Sequence, residues 1–158
     1  MIYQGDFLLP DIALSLPEEQ RRKIACVLIL VAAADGELVR EEISAIESAM
    51  GAMMLHPESR EEVRQLLTNP PSLESITDGM DDTAKKIALR DAALLASVDG
   101  DYDKRELKSL ESIAESCGIS KAKLSKILDW VSQCWKNSAK GRKLISTPML
   151  GDDDIIKN

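Results

Sequence analysis

Two short acidic stretches, 64 residues apart, carry the side chains best suited to chemistry. Asp35, Glu37 and Glu42 follow one apolar run, and Asp99, Asp101, Asp103 and Glu106 follow another, each set built around an Asp-Gly pair. Oxygen ligands this close suit a hard divalent cation such as Ca²⁺ or Mg²⁺, with water completing a sparse set. Measured against the EF-hand loop with Gly100 at the sixth position, Ser97, Asp99, Asp103 and Glu106 fall at the third, fifth, ninth and twelfth, but Leu95 stands where the first acid belongs. The Asp35 stretch keeps the acid, the glycine and Glu42, with Val31, Ala33 and Val39 at the remaining ligand positions. Neither is a standard EF-hand, and the two turns serve either one shared site or two.

A second reading competes for the same residues. Asp103 and Glu106 have capping-box spacing, and acids in a first helical turn meet the positive end of the helix dipole. Capping leaves Glu37 and Asp101 over, and clustered carboxylates repel unless solvated or bridged. No Ser/His/Asp set, no phosphate-cradling glycine loop and no basic aromatic face is present, so the chain reads as non-enzymatic, without an organic cofactor. His56, the single histidine, reads as a surface or capping residue. Arg90 and Asp91, inside an apolar helix, read as an ion pair reaching to another helix.

The elements that position these turns are helices. Aromatics make up 3% of the 158 residues, and Ala, Leu, Ile, Glu, Lys and Ser dominate over strand formers. A capping pattern at Ser15 and Glu18, with Pro17 in the first turn, predicts a helix from about residue 16 to Ala34. Its run from Ile24 to Ala34 is apolar all round, marking it as central, yet eleven residues fall short of the ~20 a membrane span needs. The next helix spans about Arg40 to Met54, with Ile43, Ile46, Met50 and Met53 inward and Glu42, Glu47 and Ser48 outward. Pro57 opens a third, through Leu67. The breaker Asn69-Pro70-Pro71-Ser72 and then Asp78-Gly79 bracket a link with room for a helical turn.

The second half repeats the first. Helices are expected over about 82–98 and 104–117, and a last one from Ser120 to about Asn137 with Leu124, Ile127, Leu128, Val131, Cys134 and Trp135 buried. Aligning residues 28–49 with 92–113 gives seven identities, including Asp35/Asp99, Gly36/Gly100 and Glu42/Glu106. The expected architecture is an all-α single-domain helical bundle of two tandem helical repeats, about 17–68 and 82–137. Residues 1–16 form an apolar N-terminal extension packed on the body, and 138–158 form an acidic tail.

Charge and cysteines set the partner classes. The formal net charge of -7 argues against nucleic acid and favours cations or basic surfaces. Cys26, Cys117 and Cys134 make no CxxC or Cys/His pattern, which disfavours zinc and fits free thiols in a cytoplasmic protein. The first fifteen residues lack a basic stretch and include Asp6 and Pro10, unlike a targeting segment.

With the doubled apolar helix ending in Ala34-Asp35-Gly36-Glu37 and Val98-Asp99-Gly100-Asp101, each followed by a glutamate (Glu42, Glu106) and a Leu/Ile stripe, the chain resembles the TerB-like family of bacterial tellurite resistance proteins over residues 17–137. The resemblance implies an all-helical cytoplasmic module. It implies chelation of a divalent cation by Asp35, Glu37, Glu42, Asp99, Asp101 and Glu106, and a role in a stress or tellurite-resistance response or in a membrane-linked assembly, through an unidentified protein partner. The alternative is an acidic interaction scaffold without metal.

Overall fold

A computed structural model describes residues 12–36, 38–97 and 102–147, without the side chain of Asp35. Every regular element among them is helical. After a 3-10 turn over Ile12–Ser15 come α1 (Glu18–Ala32), a second 3-10 turn (Ala33–Asp35), α2 (Arg40–Ala52), α3 (Pro57–Gln65), the short α4 (Leu73–Thr77), α5 (Asp82–Ala96), α6 (Lys104–Ser116) and α7 (Lys121–Leu144). The starts of α5, α6 and α7 fall 64 residues after those of α1, α2 and α3; α1 and α5 are both 15 residues long, and α2 and α6 are both 13.

The pairing of α1 with α5 is the most extensive contact in the fold. Small residues recur one turn apart on α5, at Ala84, Ala88, Ala92 and Ala96, all buried, which allows close helix approach. The partner helix α1 supplies the continuous run Ile24 to Ile29 with Val31 and Ala32, buried throughout as an all-round apolar helix must be. Around this pair α2 packs on α5 as well as on α1, and α6 packs on α1 as well as on α5.

The first two turns of α1 form a polar clamp on both of the fold's inner junctions. Glu18 Oε1 accepts from the His56 N–H (2.9 Å), so it caps α3, and Arg21 donates to the Met53 carbonyl (2.6 Å) while pairing with Glu18 at 2.9 Å. On the other side the buried Gln20 amide donates to the Gly79 carbonyl and accepts from the Asp81 N–H, each at 2.9 Å, and Lys23 donates to the Asp78 carbonyl (2.6 Å). The expected Ser15–Glu18 capping box is therefore absent. Pro17 is the N-cap, Ser15 bonds to the Ile12 carbonyl instead, and Glu18 has left to serve α3.

Both second helices end in the same hydrogen-bonded turn. The Leu55 N–H reaches Met50 O and the Met54 N–H reaches Gly51 O; the Ile119 N–H reaches Ala114 O and the Gly118 N–H reaches Glu115 O. Each is a Schellman motif that needs a left-handed residue just past the helix. Gly118 supplies it with φ 71°, but Met54 occupies the equivalent place with φ 51° and its side chain exposed.

Three sequence expectations are refined. Ile43 lies at the rim of its stripe, 40% exposed, while Ile46, Met50 and Met53 are buried. Arg90 Nε bonds to its own neighbour Asp91 at 2.7 Å, both half-buried, which adds a contact along one helix to the expected ion pair. The last helix runs seven residues past Asn137, through Gly141, so 138–144 of the expected acidic tail are helical and carry no acid, with Arg142 and Lys143 favourably placed at the helix's negative end.

Replacing Met54 with Gly should remove left-handed strain without loss of packing and raise stability by about 1 kcal/mol, whereas Gly118→Ala should lower it by about 1 kcal/mol, both read by urea unfolding. Burial alone would raise the Glu18 pKa, but the His56 N–H, the Ser59 hydroxyl and Arg21 outweigh it and hold the carboxyl below its ordinary value. Its stabilising share is thus present above the ordinary glutamate range and is lost as pH falls through the depressed value. Glu18→Gln should cost about 1 kcal/mol at neutral pH, and the gap to the unmodified protein should close in acid.

Candidate functional site

The helices that follow the two Asp-Gly pairs open alike, each with a glutamate bonded back to the N–H that precedes it. At the first, α1 tightens into the 3-10 turn and the Gly36 N–H closes on the Ala33 carbonyl at 3.1 Å, with Gly36 at φ 90° where a β-carbon is disfavoured. Val39 has an extended backbone, and Glu42, three residues on, folds back so that Oε2 accepts from the Val39 N–H at 3.0 Å. Valine has no acceptor, so only this return half of a capping box exists. At the second corner both halves are present: Glu106 Oε2 accepts from the Asp103 N–H (2.8 Å), and the Asp103 carboxylate accepts from the first-turn N–H groups of α6, Arg105 among them (2.7 Å).

These bonds bury two carboxyl groups. Glu42 is 5% exposed and Glu106 4% exposed, against the rule that glutamates lie outside. Glu42 was expected to face solvent with Glu47; instead, its position in the first turn of α2 lets it reach back under the corner. Asp103 is exposed. Asp35 closes the 3-10 turn through its backbone, while its side chain and the whole of Glu37, Asp99 and Asp101 lie outside the described residues.

The corners are neighbours, because the Ala33–Asp35 turn packs against α6, the helix that leaves the second corner. Among the described residues no three of His, Cys, Asp and Glu gather closely enough to hold a metal ion. Two clefts lie elsewhere. One is a narrow apolar slot lined by Ile29, Ile43, Met50, Val63 and Leu67 and bordered by the Glu47–Arg64 ion pair. The other is an open polar depression beside α4 and Gly79.

Sequence reasoning missed what anchors the second corner. The Trp135 indole N–H of α7 donates to Ser97 Oγ at 2.6 Å, and Ser97 Oγ in turn lies 3.2 Å from the Ala93 and Leu94 carbonyls at the end of α5. The Tyr102 hydroxyl donates to the same Ala93 carbonyl at 3.1 Å. Burial pushes the Tyr102 phenol up, partly offset by the Ser97 hydroxyl, and the nearby Glu106 charge adds to the rise. The two stems of this corner are therefore tied to each other and to α7. In the first copy Ala33 and Leu38 stand in place of Ser97 and Tyr102 and carry no such polar groups. The available signal was Trp135 itself, since a buried indole N–H requires a partner.

No family model, no curated protein and no solved structure matches the chain.

Glu106→Ala should cost about 1–2 kcal/mol in thermal or urea unfolding by orphaning the Asp103 N–H, and Glu106→Gln should restore much of it because the amide oxygen still accepts. Trp135→Phe should keep the core filled yet leave Ser97 without its donor, raising amide exchange across the end of α5 more than in α2.

Proposed function

We propose that the chain is a TerB-like, non-enzymatic module of two tandem helical repeats, binding a divalent cation at its Asp-Gly corners and signalling through a protein partner in a stress or tellurite-related response. The observation that carries this reading is the shared construction of the corners: a glutamate at the same place in each following helix, Glu42 and Glu106, is buried and bonded back to the N–H that opens the helix. The constant 64-residue displacement of three helix starts supports the repeat. The acids proposed to meet the cation are Asp35, Glu37, Glu42, Asp99, Asp101, Asp103 and Glu106, of which Glu42, Asp103 and Glu106 are also bonded into the corners. Packing of the first corner on α6 favours joint use over two isolated sites. The second corner, tied down by Ser97, Tyr102 and Trp135, is the better prepared of the two, since a fixed frame lowers the entropy lost on binding.

A second reading, an acidic scaffold without metal, is favoured by the capping bonds themselves, which give Glu42, Asp103 and Glu106 a structural employment. One titration separates the two. With chelated protein, Ca²⁺ or Mg²⁺ added up to millimolar should shift amide resonances around residues 35–42 and 99–106, and Asp99→Asn with Asp101→Asn should weaken the effect at least tenfold with the fold intact. Unchanged spectra and unchanged thermal stability at saturating cation would leave the scaffold. In that case charge reversal at Glu37 and Asp101 should abolish capture of the partner.

A further inference from the structure

The acidic total hides a strong segregation of charge. Of the residues in α7, seven are basic and one, Asp129, is acidic, while the rest of the chain carries 13 basic and 26 acidic residues. The inner face of α7 is spent on the core through Leu124, Val131 and Cys134. At 3.6 residues per turn, Lys126, Lys136, Lys140 and Lys143 fall together on the opposite face with the single acid Asp129, and all five are exposed. Among the described residues, Lys121 is the one basic group of this helix that meets a carboxylate, Glu111 at 3.8 Å.

The far end of α7 is where this matters. Trp135 is the last apolar side chain of α7 packed on the core, and the helix continues roughly 13 Å past it over residues 136–144. This stretch holds Lys136, Lys140, Arg142 and Lys143 with no acid, and ends in Leu144 and Ile145, which are 85% and 72% exposed. Favourable placement at the helix C-terminus accounts for Arg142 and Lys143 but not for Lys136 and Lys140, which lie earlier than the last turn. Nor does it account for two large apolar side chains left in water beside them.

Cationic groups on flexible stems around a bare aliphatic pair match one kind of surface, an anionic lipid interface. Lysines there reach the headgroups while leucine and isoleucine enter the acyl boundary. A nucleic-acid backbone would use the charges but not Leu144 and Ile145, and α7 offers no stacking platform. We infer that the far end of α7, Lys136 to Ile145, is a peripheral docking surface for anionic phospholipid membranes. It is separate from the acidic corners and does not depend on cation binding there. Among the described residues no helix is long and apolar enough to cross a membrane, so the contact is with the surface.

Co-sedimentation of the full chain with vesicles tests this. The protein should bind phosphatidylcholine vesicles containing one-third phosphatidylglycerol, fail to bind pure phosphatidylcholine, and be released by high salt. Lys136→Gln, Lys140→Gln and Lys143→Gln should each weaken binding about fivefold. Leu144→Ser with Ile145→Ser should weaken it about tenfold while leaving its salt dependence in place. All five positions are exposed, so circular dichroism should be unchanged, and chelator should make no difference. Absence of binding to the anionic vesicles, or binding indifferent to the Leu144 and Ile145 changes and matched by duplex DNA, would overturn the assignment.

Discussion

The approach of α5 to α1 is the constraint on which the remaining packing rests. Alanine at positions 84, 88, 92 and 96 keeps one buried ridge of α5 free of side-chain bulk, which suits close packing of helices. Bulk on that ridge would force the helices apart and break the contacts that α2 makes with α5 and α6 makes with α1, since close-packed interiors do not yield gradually. The corners inherit their geometry from this pair. Each is the exit from one of the two central helices, and each swings its following helix across the other member of the pair.

Those exits explain why carboxylates are buried in an otherwise apolar setting. A helix that starts after a sharp corner leaves N–H groups without partners, and a buried N–H must find an acceptor. Glu42 and Glu106 supply it from within their own helices. The two copies then diverge. Asp103 completes the box at one corner, Val39 leaves it half-made at the other, and the hydroxyls of Ser97 and Tyr102 appear at the second corner alone.

Much of this was legible in the sequence because the information was local. Gly36 and Gly118, Pro57, the Asn69-Pro70-Pro71 break and the helical spacing of Ile46, Met50 and Met53 set the elements close to where they lie. The illegible parts depend on distance along the chain. Glu18 reads as a cap for its own helix, yet its partner His56 is 38 residues away, and Trp135 finds Ser97 at the same separation. Glu42 misled for another reason. Periodicity assigns a face from direction alone, and a glutamate long enough to curl back over the first turn leaves the face its position implies. The last helix reads as ending near Asn137 because its apolar stripe stops at Trp135, yet it continues through Gly141, a single glycine costing only about 1 kcal/mol in a helix with favourable charges at its terminus.

The clamp at the start of α1 bears on how the molecule opens. Within six residues, Glu18, Gln20, Arg21 and Lys23 grip the α2–α3 junction on one side and the approach to α5 on the other. Two segments far apart in sequence therefore share one fastening. Unwinding a turn and a half of α1 would free both together, so local fluctuations at residues 53–56 and 78–81 are bound into one cooperative unit rather than two independent loops.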